Sequence, residues 1–259
     1  MFRGEVVTGD LDGHSRVKFL GSRTRASLTL RAVALLAASS FAQNSFLNGT
    51  PKSQAAFSPR DLSGVWMERQ NTIAFSQQEP PLQPWAEEKY KSSKPGYGPR
   101  ATPDSEDPIL NCLPPGVPRI MLIPFPMQVI QIPGEVIMLF EYDHYIRHIH
   151  LDHREHPKDL DLTWMGDSIG WWEGSTLVVD TVGLNDKTWL DQVGHPHSDA
   201  LRIVERLRRI DPDTLQDDVT IDDPKAYKKP WSGQQIFKRR PTWHLLEYVC
   251  TDRAGERKE

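Results

Sequence analysis

The sequence predicts an all-β fold, a mainly antiparallel meander closed into a lipocalin-like barrel, and three observations predict it. Runs of β-branched and aromatic residues of strand length recur from Met127 to Cys250, separated by short turn peptides. The 21 prolines and 17 glycines are scattered between those runs, where they interrupt helices and punctuate strands. In residues 201–210, Leu201, Ile203, Glu205 and Leu207 share one face at period two, while Arg202, Arg206 and Arg208 share the other. A helical stripe through Leu201, Val204 and Leu207 competes, and the strand is preferred.

Residues 1–42 read as a leader. The apolar run 32–38 follows Arg23, Arg25 and Arg31 and precedes Ser40-Phe41-Ala42, the layout of a secretory signal peptide cleaved after Ala42. The run is too short for a permanent anchor, so no stable membrane insertion is expected after cleavage. Residues before Arg23 are long and mixed in charge, as in an extended leader or a misplaced start. Residues 43–60 are polar and aperiodic, a linker before a single barrel domain over 61–259 that opens with Asp61-Leu62-Ser63-Gly64-Val65-Trp66. Within 61–126, the proline-rich part from Glu79 to Pro118 carries Trp85, Tyr90 and Tyr97 and one short helix over 85–91; a loop this long suits a lid or a pocket wall.

Strands are expected over residues 127–132, 135–142, 145–151, 168–172, 176–182, 201–210, 214–221, 235–238 and 245–250. Pro133-Gly134, Glu173-Gly174-Ser175 and Asp211-Pro212-Asp213 supply turns. Closing the meander buries its edges. Cys112 and Cys250 fit one disulfide in an oxidising compartment, periplasmic or secreted, against the alternative of two buried thiols.

A net charge of -4 with no basic stripe excludes nucleic acid as a partner. With no glycine-rich phosphate loop, nucleotide fingerprint or Cys-x-x-Cys pair, no cofactor is expected. Chemistry concentrates in the histidines, most of which lie between His144 and His197. His148 and His150 share a strand face and form the metal alternative, with a third ligand from His195, His197 or Asp199. In the peptide 189–199, His197 is the candidate general acid or base, oriented by Asp199 or Asp191, and Ser198 a nucleophile if a base reaches it. Asp180, between Val178 and Val182, and Glu205 are carboxylates on apolar faces, read either as ion-pair partners of barrel arginines or as catalytic groups. Trp164, Trp172, Trp189 and Tyr142 are candidate walls for an apolar or aromatic small molecule.

The peptides Asp61–Trp66, His156-Pro157, Gly166-Asp167-Ser168-Ile169-Gly170-Trp171-Trp172-Glu173-Gly174-Ser175-Thr176-Leu177-Val178-Val179-Asp180-Thr181, Pro196-His197-Ser198, Glu205-Arg206 and Asp222-Asp223-Pro224-Lys225-Ala226-Tyr227 resemble those of a family of exported, largely uncharacterised bacterial proteins from soil lineages. The resemblance covers nearly everything after Asp61. It supports Arg147, His156, Asp180, His197, Ser198 and Glu205, and has no counterpart for His148, His150 and His153. Gly64-x-Trp66 also looks like the opening of lipocalin-type barrels. The expectation is an exported, cofactor-independent lyase, isomerase or hydrolase: His197 moves a proton, Arg147 or Arg206 stabilises negative charge, and His156 helps bind an apolar or aromatic substrate in the barrel cavity. The alternatives are a lipocalin-like carrier without catalysis or a His-ligated metal protein.

Overall fold

A computed structural model of the chain describes residues 57–69 and 72–251. The leader over 1–42 and most of the linker lie outside these residues. Nine strands form a closed barrel in chain order: β1 Gly64–Glu68, β2 Met127–Ile132, β3 Glu135–Phe140, β4 Ile146–His150, β5 Asp167–Glu173, β6 Thr176–Val182, β7 Arg202–Asp211, β8 Thr214–Asp222 and β9 Trp231–Arg239. β9 returns to β1 through Trp66↔Arg239 and Glu68↔Phe237. Among the described residues the proline-rich segment carries one α-helix, α1 Pro84–Ser92, and a short 3-10 helix, Pro108–Asn111.

Two details differ from the expected meander. Residues 245–250 form no strand; Leu246 and Val249 stay exposed, and the backbone N–H groups of Leu246 and Cys250 donate to the Glu141 and Asp143 carboxylates. β1 supplies the ninth strand instead. β4 and β5 pair in parallel, Ile149↔Ser168, because residues 151–166 travel back outside the barrel before β5 begins.

Turn peptides close one end of the barrel. The other end carries the long connections 183–201 and 72–126, the latter being a segment that wraps over the barrel mouth. Phe75 is buried in the core, and a Cβ on Gly233 of β9 would meet the Phe75 carbonyl oxygen at 2.0 Å, so only glycine lets that backbone pass. The Cys112–Cys250 disulfide ties the wrapping segment to the C-terminal tail across a separation of 138 residues. A loop of that length is worth about 4–5 kcal/mol in the chain-entropy account.

The barrel interior is filled. Trp66, Val129, Met138, Ile149, Leu177, Val179, Leu207, Val219 and Phe237 are among its buried side chains. β7 alternates as the period-two reading requires, with Ile203, Glu205 and Leu207 inward and Arg202, Arg206 and Arg208 outward. Glu205 finds its partner in Arg147. That side chain crosses from β4 to β7 and donates from Nη1 to Glu205 Oε1 at 2.9 Å and from Nη2 to Oε2, while its Nε and Nη2 also reach Ser168 and Thr181. Two neutral hydroxyls and a bidentate carboxylate thus satisfy a fully buried guanidinium.

Asp217 of β8 faces the same interior, opposite Leu207 and Gln235. Burial, reinforced by the Glu205 charge, pushes its carboxyl well above the usual carboxylate range and so favours the neutral acid. Arg147 pulls the other way, which makes Asp217 a reserve counter-ion. Glu205→Gln alone is therefore partly compensated by ionisation of Asp217. The Glu205→Gln, Asp217→Asn double variant should lose about 3–5 kcal/mol, more than the sum of the two single losses, in urea unfolding at pH 7; additive losses would contradict this coupling.

Candidate functional site

At the open end, the loop between β6 and β7 holds a histidine in a fixed pose. Asp191 is fully buried, and its Oδ1 accepts the backbone N–H groups of Val193, Gly194 and His195 at 3.1–3.2 Å. Its Oδ2 meets His195 Nδ1 at 2.5 Å. One carboxylate therefore closes the loop and orients the ring. Gly194 permits the turn, with φ +94° and a would-be Cβ 2.6 Å from Ser93 Oγ. The loop is tied to the wrapping segment by Gln192, whose backbone N–H donates to Ile73 O and whose side-chain amide donates to Leu122 O.

The other His195 nitrogen, Nε2, lies 3.3 Å from Glu79 Oε2, and the Tyr90 hydroxyl donates to Glu79 Oε1 at 2.9 Å. Tyr90 of α1 stacks on the imidazole with ring centroids 4.4 Å apart and planes 5° from parallel. Arg100 caps the outer face of Tyr90 at 3.9 Å and is pinned by the carbonyls of Tyr90, Ser93 and Val193. These groups line a cavity of about 560 Å³, whose apolar walls include Ile73, Ala74, Pro99 and Val193.

Burial by itself would depress the His195 pKa, but hydrogen bonds and charge from Asp191, and then Glu79, outweigh it and the pKa is raised. The two flanking carboxylates thus favour the protonated ring. Burial, with the Glu79 hydrogen bond, likewise raises the Tyr90 phenol and keeps its proton in place. Both groups present hydrogen-bond donors to the cavity.

A second cavity, of about 540 Å³, adjoins the first through their shared lining residue Ile73. Ile109, Ile123, Phe125, Tyr142 and Tyr248 line it beside the disulfide, and burial pushes the Tyr142 phenol up to about 12. Both cavities lie at the mouth, among the wrapping segment, the loop and the tail, rather than inside the filled barrel.

The predicted site residues separate into different places. His197 is buried farther along the same loop, where its Nδ1 meets Ser198 O, its Nε2 meets no hydrogen-bond partner among the described residues, and burial depresses its pKa. It lines neither mouth cavity. Asp199 points outward to Lys225 rather than to His197, and Ser198 is held by Asp223 through both its N–H and its hydroxyl. Arg147 and Glu205 form the interior pair. Asp180 faces outward, contrary to its placement with the core face: it pairs with Arg202 and is covered by His156, which binds Asp167. Arg206 is also outside, paired with Glu173.

Of the aromatic candidates, only Tyr142 lines a mouth cavity. Trp172 lies under Arg60, Trp189 is buried beneath Arg119, and Trp164 contributes its carbonyl to Val117 N–H. His148 and His150 lie side by side on the outer face around Glu135. Among the described residues, no group of three or more His, Cys, Asp or Glu side chains could hold a metal. The segment from Glu79 to Pro118 does form a pocket wall, as its length suggested, but nothing local in the sequence singles out Glu79, Tyr90 and Arg100 as the groups that meet the histidine. The Asp191-x-x-x-His195 spacing around Gly194 was the local signal for the histidine that faces the cavity.

No protein-family model matches the chain, and no curated protein matches it significantly.

Because the folded pKa of His195 exceeds its unfolded value, its bound proton stabilises the fold below the ordinary histidine range. That contribution is lost as pH rises through the raised value. The stability deficit of His195→Gln in urea unfolding should accordingly be larger at pH 6 than at pH 9. Asp191→Ala leaves three backbone donors and the ring without their acceptor and should cost about 3 kcal/mol or more; a loss below about 1 kcal/mol would show that the loop does not depend on this carboxylate.

Proposed function

We propose that this chain is an exported, cofactor-independent enzyme acting by histidine acid–base catalysis on a small apolar or aromatic molecule held at the barrel mouth. The single observation that carries the reading is the buried Asp191–His195 pair, with Nε2 directed towards a cavity that also receives the Tyr90 hydroxyl. The proton-transfer role assigned to His197 from sequence passes to His195, because His195 reaches the cavity and is oriented by a carboxylate. His195 in its protonated form serves as general acid, and Tyr90 is a second donor to oxygen that gains charge in a lyase, isomerase or hydrolase step.

Export is supported by the leader pattern and by the Cys112–Cys250 disulfide, since such bonds persist in oxidising compartments. No helix among the described residues is long and apolar enough to cross a membrane. The resemblance to exported bacterial proteins points the same way. A second reading, a carrier without chemistry, is favoured by the Glu79 contact: an imidazolium already holding a carboxylate is suited to anchoring an anion.

The test is product detection by mass spectrometry after incubation with a panel of ring-bearing esters, enolisable ketones and β-hydroxy compounds. His195→Gln should lower the turnover found by about 10²–10⁴-fold with native circular dichroism retained. Turnover within threefold of wild type in that variant would remove His195 from the chemistry, and unchanged compounds throughout would favour the carrier.

A further inference from the structure

The two donors at the mouth already grip one carboxylate, and it belongs to the protein. Glu79 places one oxygen on His195 Nε2 and the other on the Tyr90 hydroxyl, a bridging arrangement in which a single carboxylate satisfies both. The donors and the acceptor are held very differently. His195 is 5% exposed and locked by Asp191; Tyr90 is stacked against it and capped by the pinned Arg100. Glu79 is 68% exposed, so its carboxylate stands largely in water and is held far less firmly than the two donors.

We propose that Glu79 is an internal stand-in for a ligand carboxylate, and that the mouth cavity binds a small apolar carboxylic acid whose carboxylate displaces Glu79 from His195 and Tyr90. The inference rests on the site described under the proposed function and names its ligand class. The cavity suits both halves of such a molecule. The donor pair and the nearby Arg100 charge take the carboxylate, while Ile73, Ala74, Pro99 and Val193 offer apolar walls to the remainder. Displacement needs no rearrangement of the buried loop. Glu79 swings into water, where a free carboxylate is well hydrated, and the ligand inherits both hydrogen bonds.

Stand-in and ligand compete, so removing the stand-in must strengthen binding. Isothermal titration with benzoate, and with benzamide as its neutral isostere, separates this from general opening of the cavity. Glu79→Ala should bind benzoate at least tenfold more tightly than wild type, with no comparable gain for benzamide. Adding Tyr90→Phe should reverse at least fivefold of that gain, and adding His195→Gln should abolish it. Equal benzoate affinity in wild type and Glu79→Ala, or an equal gain for benzamide, would overturn the proposal. Tightened benzoate binding without turnover of any carboxylic acid would uphold this inference while removing the catalytic reading; turnover confined to uncharged compounds, with no tightening in Glu79→Ala, would do the reverse.

Discussion

Everything chemical at the barrel mouth depends on the Asp191 carboxylate. A buried carboxylate is costly unless its lone pairs are filled, and this one fills them with three backbone N–H groups and an imidazole from its own loop. The same four contacts that make burial tolerable also define the loop. Folding and site formation are therefore one event here: once the backbone turns at Gly194, the ring of His195 has a single orientation, and its second nitrogen faces the cavity and Glu79.

The barrel solves a comparable problem at a different place. Arg147 and Glu205 are charges in the middle of a packed core, and they persist because each is matched in geometry as well as sign, with Ser168 and Thr181 supplying the remaining acceptors. This pair is enclosed by core side chains and does not line the mouth cavities. It links four of the nine strands across the interior, and burial beside Glu205 favours the neutral form of Asp217. The interior sets the shape of the scaffold, and the mouth, built from long connections, carries the exposed polar groups. That division explains why the cavity lies where loops meet rather than along the barrel axis.

Much of the scaffold was legible in the sequence because strand alternation is a local signal. Glu205 could be placed on the inner face by counting in twos, and the cost of burying it called for an arginine partner, though not for Arg147 in particular. The limits were equally physical. Asp180 alternates with valines in its own strand, but the outer face of β6 is covered by residues 151–166, so its buried neighbours there carry no information about which face is the core. Residues 245–250 have strand composition yet find no free edge, since β1 had already closed the barrel. At the site, His197 and Asp199 are close in sequence but turn in opposite directions, one inward and one to Lys225. The cavity is assembled from Glu79, Tyr90, Arg100 and His195, which only the path of the wrapping segment brings together.

Asp191 favours the protonated ring of His195 and presents its second nitrogen at the mouth. The most direct measurement is ¹⁵N NMR titration of the His195 ring in the wild type and in Asp191→Asn. The wild-type ring should show a pKa above that of a free histidine, with a clear fall in the variant. A ring that titrates at or below the free-histidine value, or that is indifferent to Asp191→Asn, would contradict it.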